Sequence, residues 1–195
     1  MLPDCFVSYS WDSPAHKAWV RMFATTLRAN GVAVHLDQWE AHLGMDLPAY
    51  MERSIRESTY TLLICTPIYA RKADTGEGGV GYEKMIVTGE IFAQTGDKGK
   101  FVPVLRQGAP RESLPSFLKG TIYADMRHDE HFTDQLEVLL RHLHRAPAHS
   151  PPPIGTPPTF TRGPSEFQTR ETLDLARHMP RIQGVPTFDD NDDDL

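Results

Sequence analysis

Residues 59–66 have the sequence TYTLLICT, and this stretch decides the class of fold. It is apolar almost throughout, which predicts a strand that is buried on both faces of a sheet. Sheets covered on both faces are typical of proteins in which parallel strands alternate with helices. The stretch therefore predicts an α/β protein with a central parallel sheet.

The segments on either side alternate between strand and helix patterns. Further strands are predicted at residues 5–9, 32–36 and 101–105, with a short fifth strand within residues 117–126, near Ile122. Helices are predicted at residues 15–30, 48–58, 82–95 and 132–144. Residues 37–47 and 67–81 are predicted as loops, the second with one helical turn. Right-handed crossovers then give a flavodoxin-like parallel sheet with helices on both faces. Ligands of such sheets bind at the carboxyl ends of the strands.

The composition changes near residue 146, and this change sets the predicted domain limits. We expect residues 1–145 to form the folded domain, because the proline-rich stretch that follows (146–164) cannot bury a core and is typical of an extended linker. Residues 165–195 are predicted to be a mostly disordered tail. It has a weak helical pattern over residues 165–181 and an acidic run at residues 189–194.

The charge and composition exclude several classes of protein. A formal net charge of −6 argues against non-specific nucleic-acid binding, which needs a basic face. No run approaches the ~18 apolar residues of a membrane span. The first residues lack the basic start and apolar core of a signal peptide, so we expect a cytoplasmic protein with no membrane partner. Cys5 and Cys65 are each expected to be small buried hydrophobic residues, and we expect no metal site.

The order of several short motifs resembles the Toll/interleukin-1 receptor (TIR) domain family. Residues 6–10 (FVSYS) look like its first motif, and residues 30–37 (NGVAVHLD) look like the second strand that leads into its BB loop, where Gly44 is the expected glycine. Residues 54–69 resemble the second helix and third strand. Residues 37–40 (DQWE) are closer to the SEFIR branch of the superfamily. The resemblance covers residues 5 to about 143 and implies the fold that the periodicity predicts.

This resemblance implies an activity, because many TIR domains cleave NAD⁺ at the nicotinamide–ribose bond. The responsible glutamate begins the family's third helix, and the matching residue is Glu83. Several enzymatic members have a tryptophan four residues earlier, where this chain has Gly79, and Tyr82 is the alternative aromatic wall. A match of residues 86–88 to relatives without a gap instead places Met85 in the catalytic position. Glu90, which lies on the same helical face as Glu83, is therefore an alternative candidate for the catalytic glutamate.

A lone carboxylate suits this chemistry. Nicotinamide leaves NAD⁺ as a neutral molecule, so no general acid is needed, and the bond breaks through an oxocarbenium-like state, as in glycoside hydrolysis. A carboxylate near the ribose stabilises the growing positive charge. The alternative for Glu83 is a structural role, since the macrodipole favours glutamate in the first turn of any helix.

Five further residues are candidates for the NAD⁺ pocket. Ser8, Ser10 and Trp11 lie at or just beyond the carboxyl end of the first strand, Asp37 ends the second strand, and Trp39 lies in the BB-like loop. Asp37 is a candidate for binding ribose and Trp39 for stacking on adenine or on a neighbouring subunit. Three of them have a structural alternative: capping a turn for Ser10 and Asp37, and anchoring the loop for Trp39. NAD⁺ is the substrate, and no resident cofactor is expected.

The resemblance also implies partners. TIR enzymes typically form head-to-tail assemblies in which the BB loop of one subunit closes its neighbour's site, and here the contact loop is residues 38–47. In bacteria the family implies defence against phage, with a separate sensor or effector protein. The competing hypothesis is an adaptor that binds other TIR or SEFIR domains without catalysis. A phosphoacceptor receiver domain is disfavoured, because the third strand ends Cys65-Thr66-Pro67 rather than in an aspartate.

Overall fold

The computed structural model describes residues 2–75 and 98–159. It divides the chain into two units, residues 1–150 and residues 151–195. In the second unit, the described residues 151–159 are exposed and have no helix or strand. The predicted third helix (82–95) and the predicted tail (165–195) lie outside the described residues.

The first unit alternates strands and helices, as the sequence predicts. In chain order its described elements are β1 (Asp4–Tyr9), α1 (Pro14–Ala29), β2 (Ala33–His35), α2 (Asp37–Glu40), α3 (Leu47–Glu57), β3 (Tyr60–Cys65), α4 (Pro67–Thr75), β4 (Phe101–Leu105), α5 (Pro110–Ser113), β5 (Ala124–Asp125) and α6 (Phe132–Leu143). None of the helices within residues 2–75 and 98–159 is long and apolar enough to cross a membrane.

The five described strands form one parallel sheet in the order β2-β1-β3-β4-β5. Strand β3 lies at its centre and is buried along its whole length. Alternate residues of β3 face opposite sides: Leu62 and Ile64 join a core cluster with α1 and α6, while Leu63 and Cys65 join a cluster with α3 and α4. The predicted flavodoxin-like parallel sheet is therefore confirmed.

Local signals in the sequence position helix α1 over the sheet. Ser13 is the N-cap and accepts a hydrogen bond from the backbone N–H of His16 at 3.1 Å, and Pro14 occupies the first turn. Asn30 is the C-cap, and Gly31 follows with a φ of +80° that favours glycine. Strands β1 and β2, which α1 connects, pair in parallel, so their carboxyl ends lie at one edge.

Three predicted elements differ from the structure. The predicted loop 37–47 begins with the short helix α2, and the predicted loop after β3 begins with α4, which is two turns long rather than one. The fifth strand, Ala124–Asp125, lies within the predicted residues 117–126 but does not include Ile122, whose side chain is 92% exposed. Residues 37–40 and 67–75 carry several polar side chains, which suggested loops, but both segments form helices.

Candidate functional site

The candidate site lies at the carboxyl ends of three neighbouring strands. Ser10, Trp11 and Asp12 follow β1, Asp37 begins α2 just after β2, and Thr66 follows β3. Because the strands are parallel, these residues all leave the sheet at the same edge. The ligands of doubly wound sheets bind at this edge, where the strand order reverses.

The Asp12 carboxylate joins two of these strand ends. Its Oδ1 accepts a short hydrogen bond from the Ser10 hydroxyl, and its Oδ2 accepts one from the Thr66 hydroxyl at 2.7 Å. Thr66 Oγ1 in turn accepts the backbone N–H of Tyr69 at 3.0 Å and so caps helix α4. The loop after β1, the end of β3 and the start of α4 are thereby held as one unit.

Asp12 is a site residue that the sequence analysis missed. Its sequence context suggested only a helix N-cap, and Ser13 performs that role. The sequence gives no local sign of the contact with Thr66, which lies 54 residues away in the chain.

Trp11 is held in place by a buried carboxylate. Its indole Nε1–H donates to Asp37 Oδ2 at 3.1 Å, although the Trp11 side chain is 55% exposed and Asp37 only 2% exposed. The Lys17 ammonium lies 4.0 Å from the centre of the indole ring. The structure therefore brings together Trp11 and Asp37, both predicted from the sequence, and adds a cation beside them.

Two buried titratable side chains lie beneath this edge. Burial, followed by the negative charge and hydrogen bonding of Asp37, raises the pKa of the Tyr9 hydroxyl above its ordinary value, so Tyr9 stays a neutral donor. Burial lowers the pKa of His16, Asp12 opposes that change and Arg106 adds to it. Neither ring nitrogen of His16 has a hydrogen-bond partner in the part of the chain that the structure describes. At neutral pH both side chains are uncharged.

The two predicted serines are buried. Ser8 is fully buried on the α3–α4 side of the sheet, and its Oγ lies 3.2 Å from the hydroxyl of Tyr69. Ser10 is 4% exposed and donates its hydroxyl proton to Asp12. In this structure the two hydroxyls serve packing and loop geometry, and Trp11 is the exposed side chain next to them.

Trp39 begins a second, separate surface. It shares helix α2 with Asp37, but its ring lies beside the guanidinium of Arg28, with 5.7 Å between ring centre and Cζ. The loop 38–47 continues with Leu43, which is fully exposed, and with Gly44 at a φ of +85°. This loop thus presents apolar side chains to solvent.

The remaining predicted residues lie in the part of the chain that is not described. Glu83, Tyr82 and the rival Glu90 fall between residues 76 and 97. Within residues 2–75 and 98–159 no three His, Cys, Asp or Glu side chains are placed to hold a metal ion.

Comparisons with known proteins agree with this geometry. The family model of the TIR domain matches residues 5–140. A crystal structure of a prokaryotic SEFIR domain is similar, with 37% sequence identity, a TM-score of 0.65 and coverage of 78% of this chain and 99% of that chain. The TIR domain of the Toll-related receptor TRR-2 from the lower metazoan Hydra magnipapillata shares the fold, with 15% identity, a TM-score of 0.53 and coverage of 72% and 97%.

These matches confirm the resemblance on which the sequence analysis relied. The family model spans most of the chain and includes β1, the loop 38–47 and β3. The similarity to a SEFIR domain agrees with the DQWE sequence of residues 37–40. The chain belongs to the TIR domain family.

Proposed function

We propose that this protein is a TIR-type NAD⁺ nucleosidase, which cleaves the nicotinamide–ribose bond to give nicotinamide and ADP-ribose or a cyclic ADP-ribose. One observation carries the proposal. The exposed indole of Trp11 is fixed by the buried Asp37 at the ligand-binding edge of the sheet, 3.1 Å from nitrogen to oxygen. Membership of a family that includes NAD⁺-cleaving enzymes supports the same assignment.

The proposed reaction needs one carboxylate and little acid–base chemistry. The bond between ribose C1′ and the nicotinamide nitrogen breaks, and its electron pair leaves with nicotinamide as a neutral molecule. The positive charge passes to C1′ and the ring oxygen, where the Glu83 carboxylate stabilises it. Water then adds to C1′ and loses a proton, or a nitrogen of adenine adds and gives the cyclic product. Glu90 is the alternative carboxylate.

The described residues supply the binding surface in this proposal. Trp11 offers an aromatic face, and the buried Asp37 fixes that ring. Ser8 and Ser10 are buried and support the loop after β1. Tyr82, next to Glu83 in the sequence, is the proposed aromatic wall. The Asp12 contacts keep the loop after β1 in one position, so that the ligand meets a preorganised edge.

We further propose that activity requires assembly of several copies through residues 38–47. Leu43 is fully exposed and Trp39 is 39% exposed, so the loop presents apolar surface that a neighbouring copy can bury. Trp39, His42, Leu43 and Met45 are the proposed contacts. A head-to-tail contact of this kind does not close on itself and extends into filaments. In a bacterium the reaction would serve defence against phage in the cytoplasm, triggered by a separate sensor.

One observation favours a second candidate function, an adaptor. The 37% identity is to a SEFIR domain, and the exposed loop 38–47 suits homotypic binding without catalysis. The two functions differ at Glu83, because only the enzyme depends on its carboxylate.

The experiment measures NAD⁺ consumption by the full chain at high protein concentration with a crowding agent. The wild type, Glu83→Gln and Glu90→Gln are compared, with Glu112→Gln as a matched control, since Glu112 lies in α5 outside the proposed site. We expect loss of activity in Glu83→Gln alone. Loss in Glu90→Gln alone would move the catalytic role to Glu90. An inactive but assembled wild type would support the adaptor.

A further inference from the structure

The arrangement around Trp11 is more specific than an exposed aromatic side chain requires. A tryptophan with 55% of its surface exposed usually has a mobile side chain with its indole N–H in water. Here the N–H instead donates to Asp37, a carboxylate that is 2% exposed. Burying a carboxylate is costly unless hydrogen bonds compensate it. This contact fixes the plane of an indole ring that remains accessible to solvent.

The backbone of Lys17, whose ammonium lies beside the ring, is held in place. The Lys17 ammonium lies 4.0 Å from the centre of the indole ring. The backbone carbonyl of Lys17 accepts a hydrogen bond from Gln38 Nε2 at 3.0 Å, and Gln38 Oε1 accepts one from Arg21 at 3.3 Å. Helix α1 and helix α2 are therefore linked at the backbone of Lys17, which fixes where its side chain starts beside Trp11.

We propose that Trp11 and Lys17, with Asp37 as the positioning residue, form a binding site for an aromatic base linked to a phosphate, as in an adenine nucleotide. The inference rests on the proposed function and deepens it, because it states which part of NAD⁺ each residue contacts. The base stacks on the indole, and the ammonium turns from the ring to the phosphate. Stacking on an aromatic ring tolerates any base, and lysine binds phosphate as a point charge.

The second exposed tryptophan shows why Trp11 is distinctive. Trp39 also lies beside a cation, but the Arg28 guanidinium is 5.7 Å from its ring and donates to the backbone carbonyl of Val34 at 3.2 Å. That arginine is committed to joining α1 and β2, so the Trp39 pair is explained by packing. Lys17 has a side chain that can exchange its ring contact for a phosphate contact.

The test measures equilibrium binding of AMP and of adenosine to the full chain by titration calorimetry. Trp11→Ala is expected to weaken binding of both ligands by about 10-fold or more, since base–aromatic stacking is worth that much. Lys17→Met is expected to weaken AMP binding by about 10-fold and to leave adenosine binding within about 2-fold, because only AMP carries the phosphate. Trp11→Phe keeps a ring but loses the N–H anchor, so an intermediate loss is expected.

Lys119→Met is the matched control, because Lys119 is an exposed lysine outside the proposed site, and AMP affinity is expected to stay at the wild-type value. Equal affinity for AMP in the wild type, Trp11→Ala and Lys17→Met would overturn the inference, as would a wild type that binds no AMP at millimolar concentration. AMP binding that depends on Trp11 in a protein that leaves NAD⁺ intact would refute the proposed function and support this site. NAD⁺ cleavage with a KM that neither variant changes would refute this site alone.

Discussion

The contact between Thr66 and Asp12 has a predictable effect on stability. Thr66→Val replaces the hydroxyl by a methyl group of nearly the same shape at a fully buried position. It removes the 2.7 Å hydrogen bond to a carboxylate, worth about 1.5–3 kcal/mol, and the N-cap of α4, worth about 1 kcal/mol. The apolar methyl group offsets part of the loss. We expect the free energy of unfolding to fall by about 2–4 kcal/mol.

Urea unfolding followed by circular dichroism measures this loss, with Thr66→Ser as the matched control. Serine keeps the oxygen that bonds Asp12 and caps α4, and it loses only one buried methyl group, about 1 kcal/mol. A double-mutant cycle of Thr66→Val and Asp12→Asn isolates the interaction between the two side chains, for which we expect a coupling free energy of about 1–2 kcal/mol. If Thr66→Val is no less stable than Thr66→Ser, the hydroxyl does not hold the site together and the reasoning fails.

Three further predictions follow from the same structure. Gly108→Ala should lower the free energy of unfolding by at least about 2 kcal/mol, because a Cβ would lie 2.5 Å from Ser113 Oγ and 2.7 Å from Pro67 Cγ. In the control Gly44→Ala the new Cβ meets nothing within 4 Å, so only the backbone strain of about 1 kcal/mol is expected. Equal losses of unfolding free energy for the two variants, measured by urea unfolding, would contradict this. Burial lowers the pKa of His16 in the folded state, so the unfolded state binds more protons and the free energy of unfolding falls as the pH drops below about 6.5. His16→Phe should therefore lose less stability than the wild type between about pH 7 and 5.5. Parallel curves of unfolding free energy against pH for the two proteins would contradict this prediction. Burial raises the pKa of Cys5 and of Cys65 to about 12, so neither thiol should react with iodoacetamide at pH 8 unless urea is added, and rapid labelling of the native protein would contradict that burial.

The parts of the fold that were predictable have strong local signals. Strand β3 is apolar throughout because both of its faces are covered, and α1 has a capping serine, a proline in its first turn and a glycine after its end. Helix α4 is longer than the one helical turn predicted within residues 67–81, and Thr66 Oγ1, which accepts a hydrogen bond from the backbone N–H of Tyr69, is a local cap that the sequence analysis did not use. Strand β5 is only two residues long, too short for any periodicity.

The candidate site was also predicted only in part. Trp11 and Asp37 were both predicted, because residues that end parallel strands meet at one edge, but their direct hydrogen bond was not. Lys17 was missed, because its distance from Trp11 depends on the direction of α1 relative to the loop after β1. Ser8 was predicted as a pocket residue from its place in β1, whereas its side chain lies on the side of the sheet that α3 and α4 cover. Successive side chains of a strand point to opposite faces of the sheet, so a shift of one residue changes the face. Because both faces of β1 are buried, its sequence does not show which face Ser8 is on.

The most direct test of the proposed function is nicotinamide release from NAD⁺ by the concentrated full chain. Chromatography measures both the nicotinamide formed and the NAD⁺ lost, for the wild type and for Glu83→Gln. The proposal predicts one nicotinamide for each NAD⁺ lost by the wild type and a fall of about 100-fold or more in Glu83→Gln, the range expected when the main electrostatic stabiliser of a transition state is removed. Equal rates for the two proteins, or no nicotinamide from an assembled wild type, would contradict it.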